Sequence, residues 1–180
     1  MTDSRDRANI WFYLLFLPVA YFSYLFHEFG HWSVGEILGN RMVYSLNYVW
    51  PQSGHYVHES HALYVRIGGP AFSVLQAVIA LLVIERFKAL NVYSFAFFPM
   101  FSRFFSLLFG GFSKQDEAWI SVLLGTGTYG FAIIVLGILL SIVIRCSYKL
   151  EIGYKTNAYI LTAATVAQLL VIGTYKFFNI

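Results

Sequence analysis

Two histidines and a glutamate stand close together in the first hydrophobic stretch, as His27-Glu28-Phe29-Gly30-His31. Residues four apart lie on one face of a helix, so both imidazoles can reach the same metal ion. His-Glu-x-x-His on a helix is a zinc-binding pattern, and we expect one Zn²⁺ per chain. Zinc lowers the pKa of a bound water to about 7, and Glu28 is placed to act on that water as a general base. The pattern predicts amide hydrolysis.

The surroundings of this motif favour a functional site over a chance match to a short pattern. Ionisable side chains within a lipid-compatible segment cost about 2.5 to 3.5 kcal/mol each on insertion scales, and they are usually functional. Here three such groups fall within five residues. We therefore interpret the motif as a metal site.

The composition indicates a membrane protein. Of the 180 residues, 58% are hydrophobic and 12% are charged, which departs from the globular norm in both directions. We expect an all-α polytopic membrane protein in contact with the lipid bilayer, built as a single membrane domain over residues 1–180. The net charge of +3 is spread along the chain, so no nucleic-acid partner is expected. One cysteine, Cys146, excludes an internal disulfide.

Hydrophobic stretches predict about five transmembrane helices, because a span needs about 20 apolar residues. Helix 1 is expected from Ile10 to Leu38, with a kink at Pro18. The other stretches are helix 2 from Gly68 to Ile84, a third from Val92 to Phe112 that spans or bends at Pro99, helix 4 from Ala118 to Ile144 and helix 5 from Thr156 to Tyr175. Four glycines of helix 4 are suited to close helix packing: Gly125, Gly127, Gly130 and Gly137.

The longest polar connection, residues 39–67, joins helices 1 and 2. Its mixed composition with some alternation predicts a short hairpin or re-entrant segment near the membrane surface. It contains three histidines, His55, His58 and His61. These form either a second metal site or part of an interfacial loop, and we favour the loop; a metal stoichiometry above one would favour the site.

The alternation of spans brings distant segments to one membrane face. If the first three stretches all cross, the ends that carry His31 and Asp116 emerge together, and Gly68 to Pro70 begins helix 2 there. A catalytic zinc takes three protein ligands and keeps one position open. Asp116 is the expected third ligand and Glu117 the alternative, although both could instead cap helix 4. Arg103, in the third stretch, either pairs with a site carboxylate or reaches the interface.

Taken together, these motifs resemble the site-2 protease family of intramembrane zinc metallopeptidases. The likeness covers residues 10–125, the catalytic core, and leaves out residues 126–180, which hold the remainder of helix 4 and helix 5. It implies that zinc is bound by His27, His31 and Asp116 and that Glu28 is catalytic. The chain would be a compact member without a PDZ domain, since residues 39–67 are too few to hold one.

Two motifs depart from the family's usual pattern. Gly-Pro-x-x-Asn is here Gly69-Pro70-Ala71-Phe72-Ser73, so Ser73 stands in the asparagine's place and is the expected substrate-binding residue. Leu-Asp-Gly is here Gln115-Asp116-Glu117. The resemblance implies a membrane protein substrate, cut in or near a transmembrane segment.

Two other classes of function remain open at this level. One is a metal-binding membrane scaffold, or pseudoprotease, which would keep the fold without turnover. The other is an ion or proton carrier in which His27, Glu28, Asp116 and Arg103 form a relay. The sequence leaves open the scissile bond, the oligomeric state and the membrane concerned.

The distribution of basic residues and the resemblance to the family predict opposite orientations of the chain in the membrane. Basic residues on the side of the N-terminus are Arg5, Arg7, Arg86, Lys88, Arg145, Lys149 and Lys155. Those on the other side are Arg41, Arg66, Lys114 and Lys176. The excess favours a cytoplasmic N-terminus, whereas members of the family usually keep their zinc near the cytosolic face, which requires the opposite orientation.

Overall fold

The chain folds into a bundle of helices with a small β-hairpin at one end. The structure is a computed structural model that describes residues 8–109 and 115–178. Its helices are α1 Ile10–Leu14, α2 Phe16–Ile37, α3 His61–Phe87, α4 Tyr93–Leu108, α5 Asp116–Leu123, α6 Gly130–Leu150 and α7 Tyr154–Phe178. Strands β1 Met42–Tyr44 and β2 Val49–Pro51 pair antiparallel between α2 and α3, and a 3-10 turn, Leu90–Val92, precedes α4.

Four of the described helical segments are long and apolar enough to cross a membrane. They are Ile10–Ile37, His61–Phe87, Gly130–Leu150 and Tyr154–Phe178. The predicted fold class, an all-α polytopic membrane protein, is confirmed. The expected count of about five spans is one too high by these criteria. The third stretch forms α4, whose 16 residues extend about 24 Å, less than the roughly 30 Å of a bilayer core.

Helix α4 is short but lies inside the bundle. Every residue from Ala96 to Ser102 is buried, and α4 packs against α2, α3, α6 and α7. The apolar core that surrounds it includes Phe16, Ile84, Leu139 and Ile160, all fully buried. Because lipid is as apolar as these side chains, close packing holds the bundle together more than exclusion of water does. Its neighbours thus enclose the part of α4 from Ala96 to Ser102.

Helix α3 begins seven residues before the predicted start. It runs from His61, so Gly69 and Pro70 lie inside the helix and not at its opening. Pro70 has no N–H and cannot donate a hydrogen bond to the carbonyl of Arg66, one turn earlier. The helix continues through it, with α2 packed closely against this turn. The predicted hairpin is found within the remaining connection, as β1 and β2.

The predicted helix 4 is two helices. Gly125 and Gly127 have φ angles of +67° and +75°, a left-handed region that glycine adopts readily and other residues avoid. The chain therefore turns between α5 and α6. The expectation that these two glycines serve close helix packing is wrong, because their backbone conformation ends the helix.

The prolines in two other helices have different effects. The first helix is interrupted at Leu15. Pro18 has no N–H to donate to the carbonyl of Leu14, four residues earlier, so the interruption falls where a proline kink is expected. Helix α4 runs without a break through Pro99. The end of the third stretch at Phe112, and Arg5, Arg7 and Lys114 of the charge comparison, lie outside the described residues.

Candidate metal centre

The candidate centre forms where α2 and α3 cross with their backbones in contact. Gly30 of α2 faces Gly68 of α3, and a Cβ atom added to either glycine would overlap the carbonyl oxygen of the other. Gly69 faces the histidine pair, since its added Cβ would fall on the rings of His27 and His31. Small residues at a crossing let helices approach closely. The glycines thus bring α3 against the face of α2 that carries both histidines.

Three side chains from two distant parts of the chain meet at this crossing. The Nε2 atoms of His27 and His31 are 3.1 Å apart. The Oδ2 atom of Asp116 lies 3.0 Å from His31 Nε2 and 3.5 Å from His27 Nε2. The proximity of Asp116 to the histidine pair, predicted from the alternation of spans, is therefore found.

This triangle has the dimensions of three of the four ligand positions of a zinc site. Zinc binds imidazole nitrogen and carboxylate oxygen at about 2.0 to 2.1 Å in tetrahedral geometry, which places ligand atoms about 3.3 Å apart. The three measured separations, 3.0, 3.1 and 3.5 Å, bracket that value. Two imidazoles and one carboxylate also match the ligand types of catalytic zinc, with a fourth position left for water or substrate. The residues fit the ion that the sequence motif predicts.

The ring of His31 is held in the orientation that a ligand needs. Its Nδ1 lies 2.7 Å from the carbonyl oxygen of Val65 on α3. The N–H of Gly69 also approaches this Nδ1, at 3.3 Å. The shorter contact is to a carbonyl, which can only accept, so it is satisfied when Nδ1 carries the proton and the Nε2 lone pair is directed at the triangle. Hydrogen bonds of this kind fix the tautomer of metal-binding histidines.

Asp116 is the first residue of α5, and a second contact fixes its carboxylate. Arg66 of α3 donates from Nη1 to Asp116 Oδ1 at 3.2 Å, and its guanidinium lies 4.5 Å from the centre of the Trp119 ring. Oδ2 remains directed at the histidines. Burial raises the pKa of Asp116, but the closeness of its carboxylate to the imidazoles of His27 and His31 outweighs burial, so the pKa lies well below its usual range. An ionised carboxylate is the form that binds metal.

Glu117 does not reach the triangle, although the sequence alone left it as the alternative ligand. Its Oε1 accepts a hydrogen bond from Arg103 Nε at 2.7 Å, and its side chain is 2% exposed. Of the two options for Arg103, pairing with a carboxylate near the site is the one that the structure shows. The first turn of α5 therefore offers one carboxylate to the histidines and the other to an arginine.

Glu28 lies beside the two histidines. A carboxylate oxygen of Glu28 and one ring nitrogen of each histidine fall within 4.8 Å of one another. Its side chain is buried, and it borders two cavities. One cavity, of about 370 Å³, is also lined by Ser73 and Arg103. The other, of about 630 Å³, lies under the hairpin and is also lined by Trp50 and Tyr56.

Ser73, the predicted substrate-binding residue, lies beside His27. Its Oγ is 3.0 Å from His27 Nδ1, on the side of the ring opposite Nε2. Its role toward substrate stays a prediction. The position also allows Ser73 to orient His27, because the hydroxyl can accept a hydrogen bond from the ring.

The three histidines of the connection do not assemble as the first pair does. His58 and His61 are neighbours, with ring centres 4.9 Å apart, but Nδ1 of His61 is hydrogen bonded to the amide of Asn40 at 3.1 Å. His55 is exposed. Across residues 8–109 and 115–178, His27, Glu28 and His31 form a group that could hold a metal ion, and none of the three histidines of the connection belongs to it. His55 and His58 lie in the connection, as expected for loop histidines, whereas His61 is the first residue of α3 and departs from that expectation.

Sequence reasoning missed the groups that orient the ligands. Val65 acts through a backbone carbonyl, which no side-chain pattern reveals. Arg66 was assigned to the polar connection, and its position on a helix one turn before Pro70 becomes visible once α3 is known to begin at His61. No protein-family model, curated protein or solved structure matches this chain.

Proposed function

We propose that this chain is an integral membrane zinc endopeptidase that hydrolyses a peptide bond in or near a transmembrane segment of another membrane protein. The observation that carries the proposal is the triangle formed by Nε2 of His27, Nε2 of His31 and Oδ2 of Asp116, with separations of 3.0 to 3.5 Å. Its spacing suits zinc, its ligand types suit catalysis, and it lies in a bundle with four helices suited to crossing a membrane.

Each site residue has a distinct role in this proposal. Bound at the triangle, zinc would polarise the scissile carbonyl and lower the pKa of a water. Glu28 would accept a proton from the attacking water on a carboxylate oxygen and deliver it to the nitrogen of the departing amine. Arg66 would hold Asp116, and the carbonyl of Val65 would hold His31, so that both ligands keep their directions.

The substrate must present an extended backbone to this site. In a transmembrane helix every amide is engaged in an intrahelical hydrogen bond, so the segment has to unwind before its carbonyl is available. The cavity under the hairpin, bordered by Glu28, His31 and Asp116, offers space for such a segment. We infer that the unwound segment pairs with the hairpin as an added strand.

The register of the hairpin supports β2 as the strand that would accept it. Backbone hydrogen bonds join Arg41 to Gln52 and Ser45 to Tyr48. Hydrogen-bonded and non-hydrogen-bonded pairs alternate along an antiparallel ladder, so the pair between these two, Val43 and Trp50, is also hydrogen bonded. The N–H and C=O of Val49 therefore point away from β1. On the outer edge of β1, the N–H of Met42 donates a hydrogen bond to Glu36 Oε1 at 2.8 Å. Since all three residues of β2 line the cavity, β2 is the strand that would pair with substrate.

Removing one donor from β2 tests this assignment. Val49→Pro deletes the outward N–H, and we expect cleavage of a transmembrane substrate to fall about tenfold, the equivalent of one backbone hydrogen bond. Val49→Ala keeps the N–H and is the matched control. Both variants should retain wild-type zinc content. If the proline variant cleaves at the wild-type rate, substrate does not pair with this edge.

The proposed function itself is tested with purified protein in lipid vesicles. A transmembrane peptide is incorporated with the chain, and its cleavage is followed by mass spectrometry with zinc present, after chelation and after zinc is restored. We expect cleavage to stop on chelation and to return with zinc. Cleavage that persists without metal would contradict a zinc enzyme, and zinc binding without cleavage of any tested segment would favour a scaffold.

A further inference from the structure

Arg103 is the one charged residue of helix α4 and lies in its C-terminal half. Its side chain is 14% exposed, and its partner Glu117 is 2% exposed. Burying two charges is expensive and is repaid when geometry and hydrogen bonding are good. Their Nε to Oε1 distance of 2.7 Å meets this requirement.

The guanidinium of Arg103 connects three elements that carry the candidate centre. It contacts Glu117 of α5, which adjoins Asp116. Its Nη2 lies 3.3 Å from Ser73 Oγ on α3 and 2.7 Å from His27 Nδ1 on α2. A single side chain thus links the histidine of one helix to the segment that supplies the carboxylate.

Hydrogen-bond chemistry defines what Arg103 does when metal is present. A guanidinium donates and never accepts, so in this structure His27 Nδ1 is the acceptor and the ring proton is on Nε2. Metal at Nε2 requires the proton on Nδ1, which then needs an acceptor. Ser73 Oγ, 3.0 Å away, provides it. Arg103 Nη2 would leave Nδ1 and donate to Ser73 Oγ, while Nε stays on Glu117.

We propose that Arg103 is a positioning residue of the candidate metal centre: anchored by Glu117, it fixes Ser73 Oγ as the hydrogen-bond acceptor of His27 and sets the distance between His27 and Asp116. This inference rests on the proposed zinc site. It assigns a role to a residue that is not one of the expected metal ligands. Loss of an outer contact of this kind typically weakens metal binding 10- to 100-fold.

A charge-neutral double variant separates positioning from net charge. Arg103→Gln with Glu117→Gln removes both charges, and glutamine is too short to reach α2 and α3 together. The control is Arg145→Gln with Glu85→Gln, which removes a more exposed pair with the same atoms, Nε and Oε1, at 2.6 Å; Glu85 also pairs with Lys149, at 3.0 Å. That pair joins α6 to the far end of α3. Zinc affinity is measured by chelator competition, ligand geometry by visible absorption of the Co²⁺ form, and folding by the melting temperature without metal.

We expect the Arg103 and Glu117 double variant to bind zinc at least tenfold more weakly than wild type and to show an altered Co²⁺ spectrum, while the control retains both properties. Arg103→Lys keeps the charge but lacks the fork that contacts three partners, and it should show the same defect in a folded chain. This second variant decides the question if the double variant does not fold.

Either folded variant with wild-type zinc affinity and a wild-type Co²⁺ spectrum would overturn the role of Arg103 and leave the zinc site standing. A wild-type chain that binds no metal would overturn both proposals. The two failures are therefore distinguishable in one set of measurements.

Discussion

Replacing Glu28 with glutamine is expected to lower the rate of peptide cleavage by about 10²- to 10⁴-fold while zinc stays bound. A general base typically raises the rate of a reaction by this factor, so its loss lowers the rate by the same factor. Glutamine has nearly the same shape but cannot accept the proton of the attacking water, and the triangle of His27, His31 and Asp116 does not depend on Glu28 for any of its measured contacts. Cleavage rate and zinc content are measured on the same preparation.

The matched control for this variant is Glu59→Gln. Glu59 is exposed in the connection that precedes α3, so the control removes one carboxylate without entering the site. It should cleave like wild type. Retained cleavage in the Glu28 variant would mean that the proton is moved by another group. If neither wild type nor the Glu28 variant cleaves the peptide, and both have the same effect in cells, the chain is a metal-binding scaffold.

Replacing Gly69 with alanine is expected to disrupt the centre from the side of α3. The added methyl group would overlap Nε2 of His31 and Cε1 of His27, so one ring or the helix must move. A displacement of about 1 Å in a catalytic geometry costs about 100-fold in rate. We therefore expect cleavage to fall by about that factor and zinc affinity to fall with it.

The control for Gly69→Ala is Gly137→Ala in α6, where an added Cβ meets nothing within 4 Å. Alanine favours a helix by roughly 0.5 to 1 kcal/mol over glycine, so this variant should be at least as stable as wild type and equally active. A Gly69→Ala protein with wild-type zinc affinity would show that the histidine rings do not occupy the positions described here.

The sequence predicts the parts of this site that follow from helix geometry. Two histidines four residues apart must share a face, and their Nε2 atoms are indeed 3.1 Å apart. Successive hydrophobic helices run in alternating directions, which places Asp116 at the same end of the bundle, and the aspartate is found 3.0 Å from His31. This holds although α4, which precedes Asp116, is shorter than a membrane span.

Features that depend on contacts between distant segments were not predictable in the same way. Glycine suits both a close helix crossing and a turn with positive φ, so the run from Ala118 to Ile144 could not reveal the turn at Gly125 and Gly127. The start of α3 at His61 is similarly hidden, because Gly69 and Pro70 look like a helix start when no neighbour is known. The choice of Glu117 as the partner of Arg103 is set by packing.

The most direct test of the central claim is the zinc content of the purified chain, measured by elemental analysis for wild type, His31→Ala and Asp116→Ala, with His55→Ala as the control. We predict about one zinc per chain in wild type and in the control, and little or none in the other two variants. Wild type that takes up no zinc, or an Asp116→Ala protein that holds as much zinc as wild type, would contradict the account.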